Sequence, residues 1–381
     1  MITRLIRRLT HFVYKYVAKP LLFLLSPDKV HADILRVGRM VQSTTILKRL
    51  PKLWRYRNGQ LRQSILGIDF ENPVGLGAGF DKNIEVLPLM HSVGFGFMTG
   101  GSVTARTCAG NQRPWFHRLP SEKSLVVHAG LPNDGVEQIA TCIESFDTRL
   151  LKRFPLIVSI AKTNDEISAD ETEAINDYCE SIKRLEKVPV IAMYEINISC
   201  PNTFGGEPFT TPERLNKLLV KIDELTISRP IFIKMPISLD WPTTHSLLKV
   251  IVTHNIQGVT IGNLQKDRSK LSDPTLLSNK IPGGLSGMPT QTQSTEYIRQ
   301  TYKEFGDKLV IVGVGGIFSA KDAYEKIRAG ASLVELITGM IFEGPQLVGD
   351  INYGLSKLLE RDGFSSITEA IGADVFRRKE P

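Results

Sequence analysis

The sequence predicts an α/β chain folded as a closed (β/α)8 TIM barrel with an N-terminal helical extension, and three observations lead there. Eight short apolar runs follow one another from residue 73 onward, each ending in a Gly- or Asn-rich outlet and followed by a longer polar, helix-length stretch. The runs are continuously rich in Val, Ile and Leu rather than alternating, which is how parallel strands buried on both faces read. The basic excess and a basic amphipathic helix lie in the first 58 residues, ahead of the first run. On pattern alone a doubly wound open sheet is the alternative.

The N-terminal segment comes first. Residues 1–58 hold 13 Lys or Arg against Asp28 and Asp33, a net +11 where the whole chain is +7, so the rest of the chain stands at −4. A body of that sign offers no basic face, and nucleic acid is not an expected partner. In "MITRLIRRLTHFVYKYVAK", Ile2, Leu5, Ile6, Leu9, Phe12, Val13, Tyr16 and Val17 recur at helical spacing, with Arg4, Arg7, Arg8, Lys15 and Lys19 outside that stripe. Pro20 is predicted to interrupt this helix, "LLFLL" follows, and Ser26-Pro27-Asp28 reads as the N-cap and first turn of a second helix carrying Val30, Ile34, Leu35, Val37 and Val41. No apolar run reaches the roughly 18 residues of a spanning helix, and "SPDKVH" is no cleavage site. The pattern fits a helix packed on its own domain or one lying on anionic lipid.

The strand candidates follow: "PVGLGAG" (73–79), "FGFMTGGS" (95–102), "LIVSIA" (156–161), "MYEINIS" (193–199), "IFIKMP" (231–236), "GVTIGN" (258–263), "LVIVGVGG" (309–316) and "LVELITGM" (333–340). Chemistry in such a barrel belongs at the C-terminal strand ends. Those ends supply Lys82, Gly101, Ser102, Asn197, Cys200, Asn202, Asn263, Gly315, Gly316, Thr338 and Gly339, with Lys234 inside the fifth run. The paired turns "GVGGIFSAKDA" and "ITGMIF" present backbone N–H groups suited to a phosphate, and "GLSG" (284–287) adds a further turn at that end. Lys234 in an apolar strand needs either a carboxylate partner or an electron-rich cofactor ring. In "NISCPNTFGG" a thiol sits between two asparagines, whose amides suit a flat polar ligand. The four cysteines show no CxxC pair, so neither zinc binding nor a disulfide framework is expected, and a reducing compartment fits.

These motifs resemble the dihydroorotate dehydrogenases, FMN enzymes of pyrimidine synthesis, specifically the quinone-linked, membrane-associated class. The resemblance rests on "GAGFDKN", "FGFMTGGSVTARTCAGNQRPWFHRLP", "NISCPNT", "HNIQGVTIGNLQKDRS", "GGLSGMPTQTQSTE", "VGVGGIFSAKDAYEKIRAGASLVEL" and "GFSSITEAIGAD", and it spans nearly the whole chain. It implies an FMN across the barrel mouth, touched by Gly77, Ala78, Gly79, Phe80, Asp81 and Ser102. Lys234 would reach its ring, Ser286 and Gly287 would line the site, and Gly315, Gly316, Thr338 and Gly339 would hold its phosphate. Lys82, Asn197, Asn202 and Asn263 would bind the pyrimidine. Cys200 would be the base that takes the C5 proton as hydride leaves C6, aided by the charge of Lys82. The membrane-associated class usually carries serine there and the soluble class cysteine. Residues 1–58 would form a helical hairpin opening a quinone tunnel lined by His31 and Arg118, and residues 59–381 the barrel. A peripheral protein of the cytoplasmic face of a bacterial inner membrane follows, ahead of a mitochondrial one.

Four positions depart from that pattern. Val127 stands where the family has a substrate-binding asparagine, Ser159 replaces an asparagine near the flavin, Gly262 a threonine, and Ile337 an aromatic residue. Losing one charge-assisted hydrogen bond costs about 1.5–3 kcal/mol, for which His128 or Asn133 would compensate. Two other functions fit the same residues: an FMN oxidoreductase of another dihydropyrimidine-like ring, and a membrane-surface FMN-binding protein without turnover.

Overall fold

The computed structural model describes residues 2–44, 46–277 and 281–375. Eight parallel strands close into a barrel: β1 (Val74–Leu76), β2 (Phe97–Val103), β3 (Leu156–Ile160), β4 (Met193–Asn197), β5 (Ile231–Met235), β6 (Gly258–Ile261), β7 (Val310–Val314) and β8 (Leu333–Leu336). They pair in chain order, and the register Val334↔Val74 joins β8 to β1, so the open sheet is excluded. Each apolar run holds one strand. Most strands stop before their run does, because the Gly and Asn outlets leave the ladder to build the loops of the mouth.

Below the mouth the barrel is solid. Ile65, Phe70, Phe97, Ile157, Met193, Phe232, Val312 and Leu333 form one buried cluster, each such side chain contributing ~1.5–3 kcal/mol by burial. Phe70 and Ile65 come from an antiparallel hairpin, Gln63–Ile65 with Ile68–Phe70, set against the N-terminal end. Gly75 makes room for this packing, since a β-carbon there would lie 2.2 Å from the Phe97 ring. Plugged at one end, the barrel keeps its polar outlets for the other.

Over that other end lies a three-stranded antiparallel sheet of Phe116–Leu119, Ser124–Val127 and Gly284–Leu285. The "GLSG" stretch, expected as a turn, thus begins as a strand, Gly284 pairing with Val127.

The N-terminal helix differs from expectation at Pro20. It runs through Pro20: a π-helical turn at Tyr14–Ala18, in which the Lys19 N–H reaches back to the Tyr14 carbonyl, precedes a short helix at Lys19–Phe23 that takes Pro20 in its first turn. Its apolar stripe also faces outward, with Leu5, Leu9, Phe12 and Tyr16 between 58 and 67% exposed. The polar face is the one that docks. Arg7 is buried and pairs with Asp350 at 2.8 Å, the Tyr14 hydroxyl donates to the Ile341 carbonyl at 2.6 Å, and the Lys19 ammonium donates to the Phe342 carbonyl at 3.1 Å. The helix thus packs on its own domain, through Arg7, Tyr14 and Lys19 rather than through its apolar stripe. The second helix spans Pro27–Ser43, with Ser26 at the N-cap position by its backbone and no side-chain cap bond. Among the described residues no helix is long and apolar enough to cross a membrane.

Candidate functional site

A cavity opens between the ends of β5, β6, β7 and β8 and is lined by Ala78, Lys234, Asn263, Ser286, Gly287, Gly315, Gly316, Thr338 and Gly339. The glycines are required by close backbone approach. At Gly316 (φ +69) a β-carbon would stand 2.3 Å from the Gln291 β-carbon, and at Gly339 it would stand 2.0 Å from the Ile317 carbonyl. The first intrahelical bond after β8 runs from the Met340 N–H to the Ile337 carbonyl, so the N–H groups of Thr338 and Gly339 precede it and lack helical partners. The Thr338 hydroxyl donates to Ser286 Oγ at 2.9 Å, tying the two turns together.

Lys234 has the partner that an apolar strand demands. Its ammonium lies 3.4 Å from the Glu195 carboxylate on β4, and both are buried. Glu335 on β8 lines the same cavity and accepts from the Thr99 hydroxyl on β2 at 2.5 Å. Neither glutamate was singled out in the sequence, although each is the lone charge in its apolar run, "MYEINIS" and "LVELITGM", which is the signal that marked Lys234.

Beside the cavity the amides converge. Asn197 donates to Ser102 Oγ at 2.9 Å, Ser102 and Ser159 share a hydroxyl contact at 2.9 Å, and Asn263 donates to the Ser199 carbonyl at 2.9 Å. Asn202 donates to the Val127 carbonyl at 2.9 Å, with its Oδ1 3.4 Å from His128 Nδ1. Asn133 is occupied elsewhere, bonding Thr104 and Leu131 inside its own buried turn. That leaves His128, half-buried beside Asn202, as the polar neighbour of Val127. Gly262 adopts φ +122 with a β-carbon position 2.3 Å from the Val314 carbonyl, so this backbone does not accept a threonine. Ile337 lies against the glycines of the β1 outlet, 3.6 Å from a β-carbon position at Gly77.

Cys200 sits partly exposed at the end of β4, and burial pushes its thiol up to about 11 against the opposing charges of Lys234 and Lys162. Lys82 is not among those cations; its ammonium donates to the Gly79 carbonyl at 2.9 Å, and burial lowers its pKa to about 8. Lys162, at the outlet of β3, was not anticipated; it donates to the Phe204 carbonyl at 2.8 Å. Asp81 uses its carboxylate within its own loop, accepting from the Glu85 and Val86 N–H groups at 2.9 and 2.7 Å, and its carbonyl accepts from the Gly101 N–H at 3.1 Å. The Gly79 N–H is likewise engaged, by the Gly101 carbonyl at 2.9 Å, and Gly77 by the Leu336 carbonyl at 3.3 Å.

The hairpin side of the mouth holds the other two candidates. His31 packs edge-on to Phe80 (5.4 Å) and against Phe116 (5.6 Å), and burial lowers its pKa to about 3, leaving a neutral ring. Arg118 donates to the carbonyls of Phe23 (3.3 Å) and Leu25 (2.7 Å) and lies over the Phe23 ring, fastening the end of the first helix to the mouth.

A parallel barrel closed below, with a glycine-lined cavity, a buried lysine and a ring of amides at its C-terminal mouth, is the architecture of an enzyme acting on a small molecule. A family model described as dihydroorotate dehydrogenase matches residues 60–359. The chain is 34% identical to the dihydroorotate dehydrogenase (quinone) of Nostoc punctiforme, over 96% of this chain and 100% of that protein. It is 36% identical to the protein of the same name from Sulfurimonas denitrificans, over 93% and 97%. Solved structures of Eimeria tenella DHODH, with ferulenol and ligand-free, superpose with TM-scores of 0.81 and 0.80 at 26% and 27% identity, covering 92% of this chain and 96% and 100% of theirs. The chain belongs to the dihydroorotate dehydrogenase family and is an oxidoreductase, with relatives of the quinone type.

Proposed function

We propose that this protein oxidises dihydroorotate to orotate in pyrimidine biosynthesis, with FMN as resident cofactor, Cys200 as base and a membrane quinone as electron acceptor. The observation that carries the reading is the convergence of Asn197, Asn202, Asn263 and the Cys200 thiol beside a glycine-lined cavity, in a chain of this family. The cavity suits FMN. A phosphate fits the turns at Gly315, Gly316, Thr338 and Gly339, where a side chain on any of the three glycines would have no room. Ala78, Ser286, Gly287 and Lys234 line the remainder, and Ser102 stands beside Asn197.

FMN, when bound, supplies the acceptor for the substrate's hydride. The chain's own groups do the rest. Asn197, Asn202 and Asn263 pair with ring N–H and C=O groups, and Lys82 offers its ammonium to the substrate carboxylate. Cys200 Sγ removes the C5 proton, its thiolate favoured by Lys234, Lys162 and the Asn202 N–H. The antiparallel sheet over the mouth limits the access of water.

In this reading residues 1–58 are the membrane- and quinone-facing segment and residues 59–381 the FMN barrel. The outward apolar stripe of the first helix lies in the lipid interface, a peripheral attachment suited to the cytoplasmic face of a bacterial inner membrane. His31, a neutral donor or acceptor, and Arg118, bonded to the end of the first helix, are the quinone contacts of this reading. Turnover of dihydroorotate with a quinone in detergent tests the whole sequence, and turnover with soluble acceptors alone removes its second half. Val127 favours a second reading, oxidation of another dihydropyrimidine-like ring; a protein that bound FMN but left it oxidised with every such ring would be a binding protein only.

A further inference from the structure

Inside the barrel, Lys234 and Glu335 line the cavity and Glu195 pairs with Lys234; of these three ionisable side chains the reaction uses only Lys234. Glu195, Glu335 and Lys234 are 1%, 1% and 5% exposed. Lys234 and Glu195 form the pair at 3.4 Å. Two carboxylates therefore share one ammonium, and a second buried carboxylate charge has no cationic partner of its own among the described residues. Thr99 distinguishes the two oxygens of Glu335: its hydroxyl donates to Oε1 at 2.5 Å, whereas Oε2 is buried with no hydrogen-bond partner among the described residues. Oε2 borders the β1 outlet, because a β-carbon on Gly77 would stand 3.2 Å from it. The polar groups facing Glu335 are Thr99 from β2, Glu195 from β4 and Lys234 from β5; the flanking strands β1 and β7 present glycine and aliphatic residues.

We propose that Glu335 stands in the barrel as a neutral carboxylic acid whose Oε2–H donates a hydrogen bond to the bound flavin. The inference rests on the FMN reading above. It assigns the second glutamate a use: Lys234 is paired with Glu195, and the Glu335 dipole faces the charge that the flavin gains on reduction. The proton stays on Oε2, and no bond is broken. Burial and the Glu195 charge push the Glu335 carboxyl up to about 8, against the Lys234 charge and the Thr99 bond, so the acid form persists at neutral pH. Glu335 thus acts on the relative affinity for reduced over oxidised flavin rather than on the substrate.

The test is a potentiometric titration of the flavin in the holoprotein across pH. In the wild type the midpoint potential gains extra downward slope beginning near pH 8, where deprotonation of Oε2 disfavours the reduced flavin. Each tenfold change in relative affinity is about 30 mV for a two-electron couple. Glu335→Gln keeps the size and a donor, so the low-pH potential stays within a few-fold in affinity while the extra slope disappears. Should that variant fold poorly, two others carry the test with opposite signs: Thr99→Val moves the onset to higher pH and Glu195→Gln to lower pH. Flavin-loaded variants with the wild-type pH profile overturn the inference. A protein that takes up no FMN overturns the reading beneath it, and the absent flavin absorbance tells the two failures apart.

Discussion

The side-chain amide of Asn202 donates to the backbone carbonyl of Val127 at 2.9 Å, joining the outlet of β4 to the antiparallel sheet above the mouth. Position 127 is therefore held by its main chain, and its side chain brings no polar group to the site. His128, whose Nδ1 lies 3.4 Å from Asn202 Oδ1, is the polar side chain that the sheet offers in its place.

His128→Ala should then weaken dihydroorotate binding about tenfold or more, the loss expected for one hydrogen bond of ~1.5 kcal/mol to a charged group. FMN content should not change. Equilibrium titration of the oxidised holoprotein with orotate checks it, and wild-type affinity would remove His128 from the site.

Cys200 sets the pH dependence of flavin reduction. Its thiol is raised to about 11, so below that pH the thiolate fraction grows about tenfold per unit, and the limiting rate of bleaching should rise through the neutral range. Lys82 works in the opposite sense. Its ammonium, lowered to about 8, loses charge above that pH, so dihydroorotate affinity should fall there. Cys200→Ala should slow reduction ~10²–10⁴-fold with FMN retained. A flat rate between pH 6 and 9 would exclude the thiol as base.

Gly316→Ala should strip the cofactor. The substitution places a β-carbon 2.3 Å from Gln291 at φ +69, where L-residues are strained by about 1–3 kcal/mol. Measured FMN occupancy should drop while the far-ultraviolet circular dichroism stays that of the barrel; full occupancy would remove this turn from the phosphate site.

Leu9 and Phe12 are 62 and 58% exposed on the outward stripe. The double change Leu9→Glu with Phe12→Glu should abolish co-sedimentation with anionic phospholipid vesicles and spare reduction of the flavin by dihydroorotate. Undiminished vesicle binding would show that another surface docks.

Much of this architecture was legible in the sequence because burial on both faces gives a strand a continuous apolar run, and eight such runs leave few closed arrangements. The outlets were legible for the same reason: a glycine, asparagine or cysteine stands out at the end of Val and Ile. What escaped was pairwise. Lys234 was visible as a buried ammonium, yet its partner on β4 and the companion acid on β8 lie about 40 and 100 residues away in sequence, and only the register of the closed barrel brings them together. The helix hairpin left two readings open in the sequence. An apolar stripe ordinarily marks the buried face, but here Arg7, Tyr14 and Lys19 dock through hydrogen bonds and an ion pair, and the stripe is turned outward. Pro20 reads as a stop, and a π-helical turn upstream of it absorbs the missing N–H.

The most direct measurement is an anaerobic stopped-flow mix of the purified holoprotein with dihydroorotate, followed by the flavin's visible absorbance. The account predicts rapid bleaching, with reoxidation on adding a quinone. A flavin that stays oxidised with dihydroorotate would contradict the assignment of that substrate to this mouth.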